Sequence, residues 1–102
     1  MTWKIVDINS SLGCVAGIQT RFEDPQGLIS AMDTYHIDSA VVFNTDALRD
    51  VVRGNALASD AALASPGRLS ACYVLRPDLG GSEMPAADEL LKQLRSQKPA
   101  AV

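Results

Sequence analysis

A chain of 102 residues, 47% of them apolar and 21% charged, suits one folded core and is too apolar for a disordered polymer. The net charge of -3 leaves no basic surface for a row of phosphates, which excludes nucleic acid as an expected partner. No stretch approaches the roughly 20 consecutive apolar residues that cross a bilayer, and Met1–Asn9 lacks a signal-peptide pattern, so we expect no membrane partner and a cytoplasmic location.

The first elements in chain order are a strand and a helix. The predicted strand covers Trp3–Ile8 and ends in the loop formers of residues 9–13. Asp24 and Pro25 form a typical helix start, with Asp as N-cap and Pro at the first helical position, and the helix should continue to about Tyr35. Its apolar side chains fall on one face, which suits packing onto a sheet: Leu28, Ile29, Met32 and Tyr35.

A second strand and helix follow. The run within Ser39–Phe43 is continuously apolar from Ala40, which is typical of a central parallel strand buried on both faces. A polar turn at residues 44–46 leads to helical sequence that we expect to begin near Gly54-Asn55 and to end before Pro66.

The third unit begins with a predicted strand over Leu69–Leu75, closed by Pro77 and Gly80-Gly81. The last helix is predicted over Pro85–Ser96, and Asp88 and Glu89 suit its positive N-terminal end rather than an acid–base pair. One face of this helix is apolar: Ala87, Leu90, Leu91 and Leu94. The order βαβαβα indicates an α/β fold with parallel strands, either a curling barrel-like sheet with helices on one side or a doubly wound sheet with helices on both.

Few residues suggest metal or redox chemistry. Cys14 and Cys72 are too far apart for a Cys-x-x-Cys motif and are interpreted as small apolar residues. The one histidine, His36, falls at the predicted end of the first helix, where the helix dipole favours it. It cannot by itself form a multi-histidine metal site.

Two stretches resemble a known family. Residues 6–13, VDINSSLG, resemble the end of the first strand in amidohydrolase-superfamily barrels of the amidohydrolase-related type. Residues 28–43, LISAMDTYHIDSAVVF, resemble that family's first helix and second strand, and Gly54-Asn55 and residues 66–69 fit as well. The resemblance implies that residues 1–102 form a single partial barrel domain, the first three units of a TIM (β/α)8 barrel.

The same resemblance implies a degenerate metal site. In this family an Asp-x-His-x-His motif ends the first strand and binds a divalent metal that activates water. Asp7 matches the motif's first residue, but Asn9 and Ser11 stand at the histidine positions. Amide and hydroxyl oxygens are weak zinc ligands, although beside carboxylates they can help to hold magnesium or calcium. We therefore expect no catalytic or cofactor-binding residue and no metal bound by this chain alone.

The remaining polar residues are predicted to gather at the C-terminal ends of the strands, where ligands bind in parallel α/β folds. This rim would hold Asp7, Asn9, Ser11, Asn44, Asp46 and Arg76. For Asp7 the structural alternative is a carboxylate that accepts nearby N–H groups, and for Asn9 and Ser11 it is loop geometry. Arg68 could meet an anionic ligand or be a solvated surface cation.

Two functions remain open. The first is the N-terminal portion of a metal-dependent hydrolase or related decarboxylase, inactive alone. The second is a small stand-alone α/β interaction or ligand-binding module that has lost the metal site. Three units leave sheet edges unpaired, so we expect either a homo-oligomer or a partner chain that covers them, or a gene fragment of limited stability.

Overall fold

Strands and helices alternate along the chain in the computed structural model, which describes residues 3–13, 22–75 and 87–102. The elements are β1 Val6–Leu12, α1 Pro25–Thr34, β2 Ser39–Asn44, a 3-10 helix Thr45–Leu48, α2 Val51–Ala64, β3 Leu69–Ala71 and α3 Ala87–Gln97. This order confirms the predicted α/β class and its βαβαβα segment. Within the described ranges, no helix has both the length and the apolar character needed to span a bilayer.

The three strands form one parallel sheet in the order β1-β2-β3. Leu12 is in register with Asn44, and Val42 is in register with Ala71. Beyond β3, Ala101 forms an isolated parallel bridge with Cys72. The strands therefore lie side by side in the same order as along the chain.

All three helices pack on one face of this sheet. Leu28 and Met32 of α1 share a buried cluster with Val42 of β2 and Ala61 of α2. Leu94 of α3 packs on a second cluster: Ala58, Ala71 and Tyr73. Because Ala71 is the register partner of Val42, both clusters lie on the same side of the sheet. The described helices thus agree with the barrel-like alternative and not with helices on both faces.

The opposite face is covered less well, which corrects the interpretation of β2. Burial along β2 alternates between half-buried and fully buried residues, so this strand is not buried on both faces. Val42 is 0% exposed, whereas Val41 and Phe43 are only half-buried. The continuous apolar run is therefore present, but only one of its faces is covered by a helix.

Both ends of α1 show specific capping. The carboxylate of Asp24 accepts a hydrogen bond from Gln26 N at 2.9 Å, which confirms the predicted N-cap. At the other end His36 adopts φ 58°, and Ile37 N donates to Met32 O at 2.8 Å. Together with the bond from His36 N to Asp33 O, this is a Schellman motif, so His36 holds the left-handed position that usually takes glycine. Tyr35 is the C-cap and is exposed, not part of the buried face.

Three predicted elements have wrong boundaries. β1 begins at Val6 instead of Trp3, and it continues to Leu12 instead of ending at Ile8 because its backbone pairs with β2 as far as Asn44. α2 begins at Val51 because the Asp50 side chain accepts from Arg53 N, so its start lies before Gly54.

The third correction concerns β3, which ends at Ala71 and not at Leu75. α3 covers Ala87–Gln97. The predicted start of that helix at Pro85 and the predicted turn at Pro77 and Gly80-Gly81 lie outside the described residues, as do Cys14 and Arg76.

Candidate functional site

Asp7 stands at an irregular point of β1. The register shifts between Asp7 and Ser10, where the edge strand bulges away from β2. One carboxylate oxygen of Asp7 accepts from Asn9 N at 2.9 Å, and the other accepts from the Ser10 hydroxyl at 2.8 Å. Asp7 therefore has a structural role, because its carboxylate accepts hydrogen bonds from a nearby N–H and a nearby O–H group.

The predicted rim does not form as expected. Asp7 is in register with Ala40, near the start of β2, while Asn44 is the last residue of that strand. Asn9 and Ser11 lie within β1 rather than in a loop after it, because the strand extends to Leu12. The structure therefore separates Asp7 and Asn9 from Asn44, which corrects the grouping.

The actual C-terminal ends of β1 and β2 meet around Gly13. A side chain at Gly13, which has φ 104°, would lie 2.7 Å from Thr45 Oγ1 and 2.8 Å from Asn44 Oδ1, so glycine is required there. Asn44 Oδ1 accepts from Asp46 N at 2.9 Å and starts the 3-10 helix. Asp46 in turn lies 3.5 Å from Arg53 Nε.

Thr45 is the polar group at this rim whose bonding is incomplete. It is 1% exposed, and its hydroxyl has no hydrogen-bond partner among the described residues. An unpaired buried hydroxyl lowers stability. Because no described residue accepts its proton, Thr45 has no base that would activate it as a nucleophile.

The residues present do not fit the metal site of the family that the sequence resembles. Each oxygen of Asp7 already accepts one bond from its own strand, and neither Asn9 nor Ser11 supplies an imidazole nitrogen, so the set lacks the donors of that site. Within residues 3–13, 22–75 and 87–102, no group of three or more His, Cys, Asp or Glu residues could hold a metal ion. Cys72 is a free, half-buried thiol.

Arg68 has a structural place. Its guanidinium lies 2.6 Å from Asp33 Oδ1, and its Nε donates to Asp38 O at 2.8 Å. It also reaches Ile37 O at 3.4 Å. Arg68 therefore joins the start of β3 to the turn between α1 and β2, which is a different role from either a ligand contact or a free surface cation.

Asn55 makes a contact that the sequence did not suggest. Its Nδ2 donates to Val74 O at 3.0 Å, and its Oδ1 accepts from Val74 N at 2.9 Å. One turn later, the Ser59 hydroxyl lies 2.6 Å from the Tyr73 hydroxyl. α2 thus holds the segment after β3 by pairing with its backbone. A buried amide needs hydrogen-bond partners, but α2 also contains Arg53, Ser59 and Asp60, and the sequence alone did not show that Asn55 is the buried one.

A cavity of about 280 Å³, open to solvent on one side, lies beside β1 where α1 covers the sheet. Asp7, Ser10 and Ser11 line it from the strand. From α1 and its flanks it is lined by Phe22, Leu28, Ala31, Met32, Tyr35 and Ile37. This cavity, rather than the predicted rim, is where the structure brings Asp7 and Ser11 together.

No family model matches the chain, and comparison with curated proteins and with solved structures finds no match.

Proposed function

We propose that this chain is the N-terminal scaffold portion of an amidohydrolase-related barrel and has no hydrolase activity alone. The observation that carries the proposal is the sheet order. Parallel strands follow one another in chain order, Ala101 continues the series beside Cys72, and the helices pack on one face. This is the arrangement of (β/α)8 barrels, in which helices form an outer ring around consecutive parallel strands.

The helix-free face has the residue types that fill a barrel interior. Alternation along β2 and β3 directs Val41, Phe43 and Ser70 away from the helices, and Cys72, which forms the bridge to Ala101, follows β3. Layers of apolar side chains, branched ones above all, occupy that position in closed barrels. In this proposal the face is buried when further strand-helix units or another chain complete the sheet.

The exposed apolar residues of the edge strand β1 favour a partner chain. Ile8 is 80% exposed and Val6 is 52% exposed, and Trp3 just before the strand is 78% exposed. An exposed apolar edge strand favours pairing with another chain. We propose that a second copy or a partner chain covers this edge.

The test is sedimentation velocity on the chain and on two matched variants. Ile8→Asp places a charge on the edge strand and should shift the chain toward monomer, while Leu63→Asp changes a residue of α2 that is 75% exposed and should not. A compact monomer that unfolds cooperatively at all concentrations would contradict the proposed partner.

The expected lack of a metal site has its own test. Isothermal titration with zinc should show no tight stoichiometric binding, because Asn9 and Ser11 offer only weak zinc ligands. Tight binding of one zinc per chain would contradict this part of the proposal.

A second candidate is a small α/β ligand-binding module. The cavity beside β1, with a carboxylate on an otherwise mainly apolar wall, favours it. Mixed apolar and polar linings of this kind are typical of small-molecule sites.

A further inference from the structure

The cavity beside β1 combines an apolar floor with one carboxylate. Leu28 and Met32, which are 7% and 2% exposed, form the floor together with Ala31 and Ile37. Asp7 and Ser10 stand on the strand side. At about 280 Å³ the cavity lies just below the range of about 300 to 1,000 Å³ that is usual for drug-sized ligands, so it suits a small molecule.

The Asp7 carboxylate keeps free hydrogen-bonding capacity. Each of its oxygens accepts one bond from the bulge, whereas an ionised carboxylate has about four acceptor sites. Ser10 donates its hydroxyl proton to Asp7, so its oxygen can still accept a bond. Asp7 and Ser10, which both line the cavity, therefore keep unused acceptor sites for a ligand that donates hydrogen bonds.

No protein cation pairs with Asp7 in the described part of the chain. The ion pairs there join Arg53 to Asp46 and Arg68 to Asp33. A half-buried carboxylate beside apolar side chains gains most from a ligand that carries the opposite charge.

We propose that this cavity binds a small organic ammonium compound with an aromatic or aliphatic body. The ammonium donates to Asp7 and Ser10, and the apolar body packs on Leu28 and Met32. Anions are disfavoured by the carboxylate, and polyols by the apolar floor. This inference does not depend on the proposed barrel, because it uses only residues of β1, α1 and their flanks.

The test compares three probes of similar shape by isothermal titration: phenethylammonium, neutral 2-phenylethanol and anionic phenylacetate. Phenethylammonium should bind at least about tenfold more tightly than the other two, the usual effect of one charge-assisted hydrogen bond. Its binding should move the NMR signal of the Met32 methyl group. Equal binding of 2-phenylethanol, or an unmoved Met32 signal, would overturn the proposal.

Asp7→Asn and Asp88→Asn are the matched variants. Asn at position 7 retains an oxygen that can accept from Asn9 N, so the bulge should persist while the charge is lost. It should weaken phenethylammonium binding about tenfold. Asp88 is exposed on α3, away from the cavity, and its variant should bind as the parent does. Unchanged binding by Asp7→Asn would refute the role of the carboxylate.

A further probe distinguishes a lysine side chain from a free amine as the natural ligand. Nα-acetyl-lysine methylamide carries the same group on a peptide. Tighter binding of this probe than of phenethylammonium would support a protein lysine as the natural ligand, and weaker binding would support a free amine.

Discussion

The two edges of the sheet, at β3 and at β1, are held in place differently. On the β3 side, α2 approaches the 3-10 helix so closely that only glycine fits at position 54, and Asn55 pairs with the Val74 backbone. On the β1 side, Asp7 bonds only within its own bulge, and Ile8 is exposed. A close contact between α2 and the 3-10 helix and the bonds of Asn55 to a distant backbone thus hold the β3 edge, whereas the side-chain hydrogen bonds of Asp7 at the β1 edge are local. Substitutions at Gly54 and Asn55 should therefore cost more than substitutions within the β1 bulge.

Gly54→Ala should give the largest loss. The added methyl group would collide with the backbone N and Cα of Ala47, and backbone cannot move aside as a flexible side chain can. We expect the free energy of unfolding to fall by about 3 kcal/mol, measured by urea denaturation.

Gly27→Ala is the control for this change. A methyl group there would meet only a Phe22 ring carbon at 3.5 Å, an ordinary contact, and the higher helix propensity of alanine should raise stability by up to about 1 kcal/mol. Equal effects of the two substitutions would remove the distinction between tight and open helix packing.

Asn55→Ala should give the second largest loss. It leaves both the N–H and the C=O of Val74 without their partner, and Asn55 is a buried residue. We expect a loss of about 2 kcal/mol in urea denaturation, since each unpaired buried group costs about 1 to 3 kcal/mol. Val52→Ala, on the exposed side of the same helix, should change stability by less than about 0.5 kcal/mol. A neutral Asn55→Ala would mean that water replaces the side chain at Val74.

His36→Gly should raise stability on the α1 side. His36 has φ 58°, a conformation that costs an L residue roughly 1 kcal/mol and glycine almost nothing. Allowing for the greater freedom of glycine in the unfolded chain, we expect a gain of about 0.5 to 1 kcal/mol by thermal denaturation. Tyr35→Gly, at φ -98°, should instead lower stability, and a loss in both variants would argue against the left-handed cap.

Ser10→Ala should give the smallest effect. It removes one half-buried hydrogen bond to Asp7 at the edge of the sheet, which should cost about 0.5 kcal/mol in urea denaturation. A loss as large as that of Asn55→Ala would show that the bulge stabilises the whole fold and would break the contrast between the two sides.

Local signals in the sequence were sufficient to predict the order of strands and helices. The Asp24 side-chain oxygen caps the first turn of α1, and Pro25 loses no hydrogen bond at the first helical position. Both effects act within one turn, and the structure has this cap. The apolar run from Ala40 likewise predicted β2. Class, element order and one helix cap thus follow from interactions between near neighbours in the chain.

The candidate site was harder to predict, because it depends on strand register. Asn9, Ser10 and Ser11 are typical loop residues, yet pairing with β2 keeps them in β1 and moves Asp7 from the expected rim to the side cavity. Backbone hydrogen bonds to a neighbouring strand outweigh the weak local preference of such residues.

The sequence by itself determined the α/β class, the βαβαβα order and the weakness of Asn9 and Ser11 as metal ligands, since these depend on residue type and local spacing. Only the tertiary structure decided that the helices share one face, that Gly54 must be glycine and that Asn55 holds a backbone 19 residues away. Those features arise from contacts between separate elements of the fold, and a local sequence pattern does not show which elements come into contact.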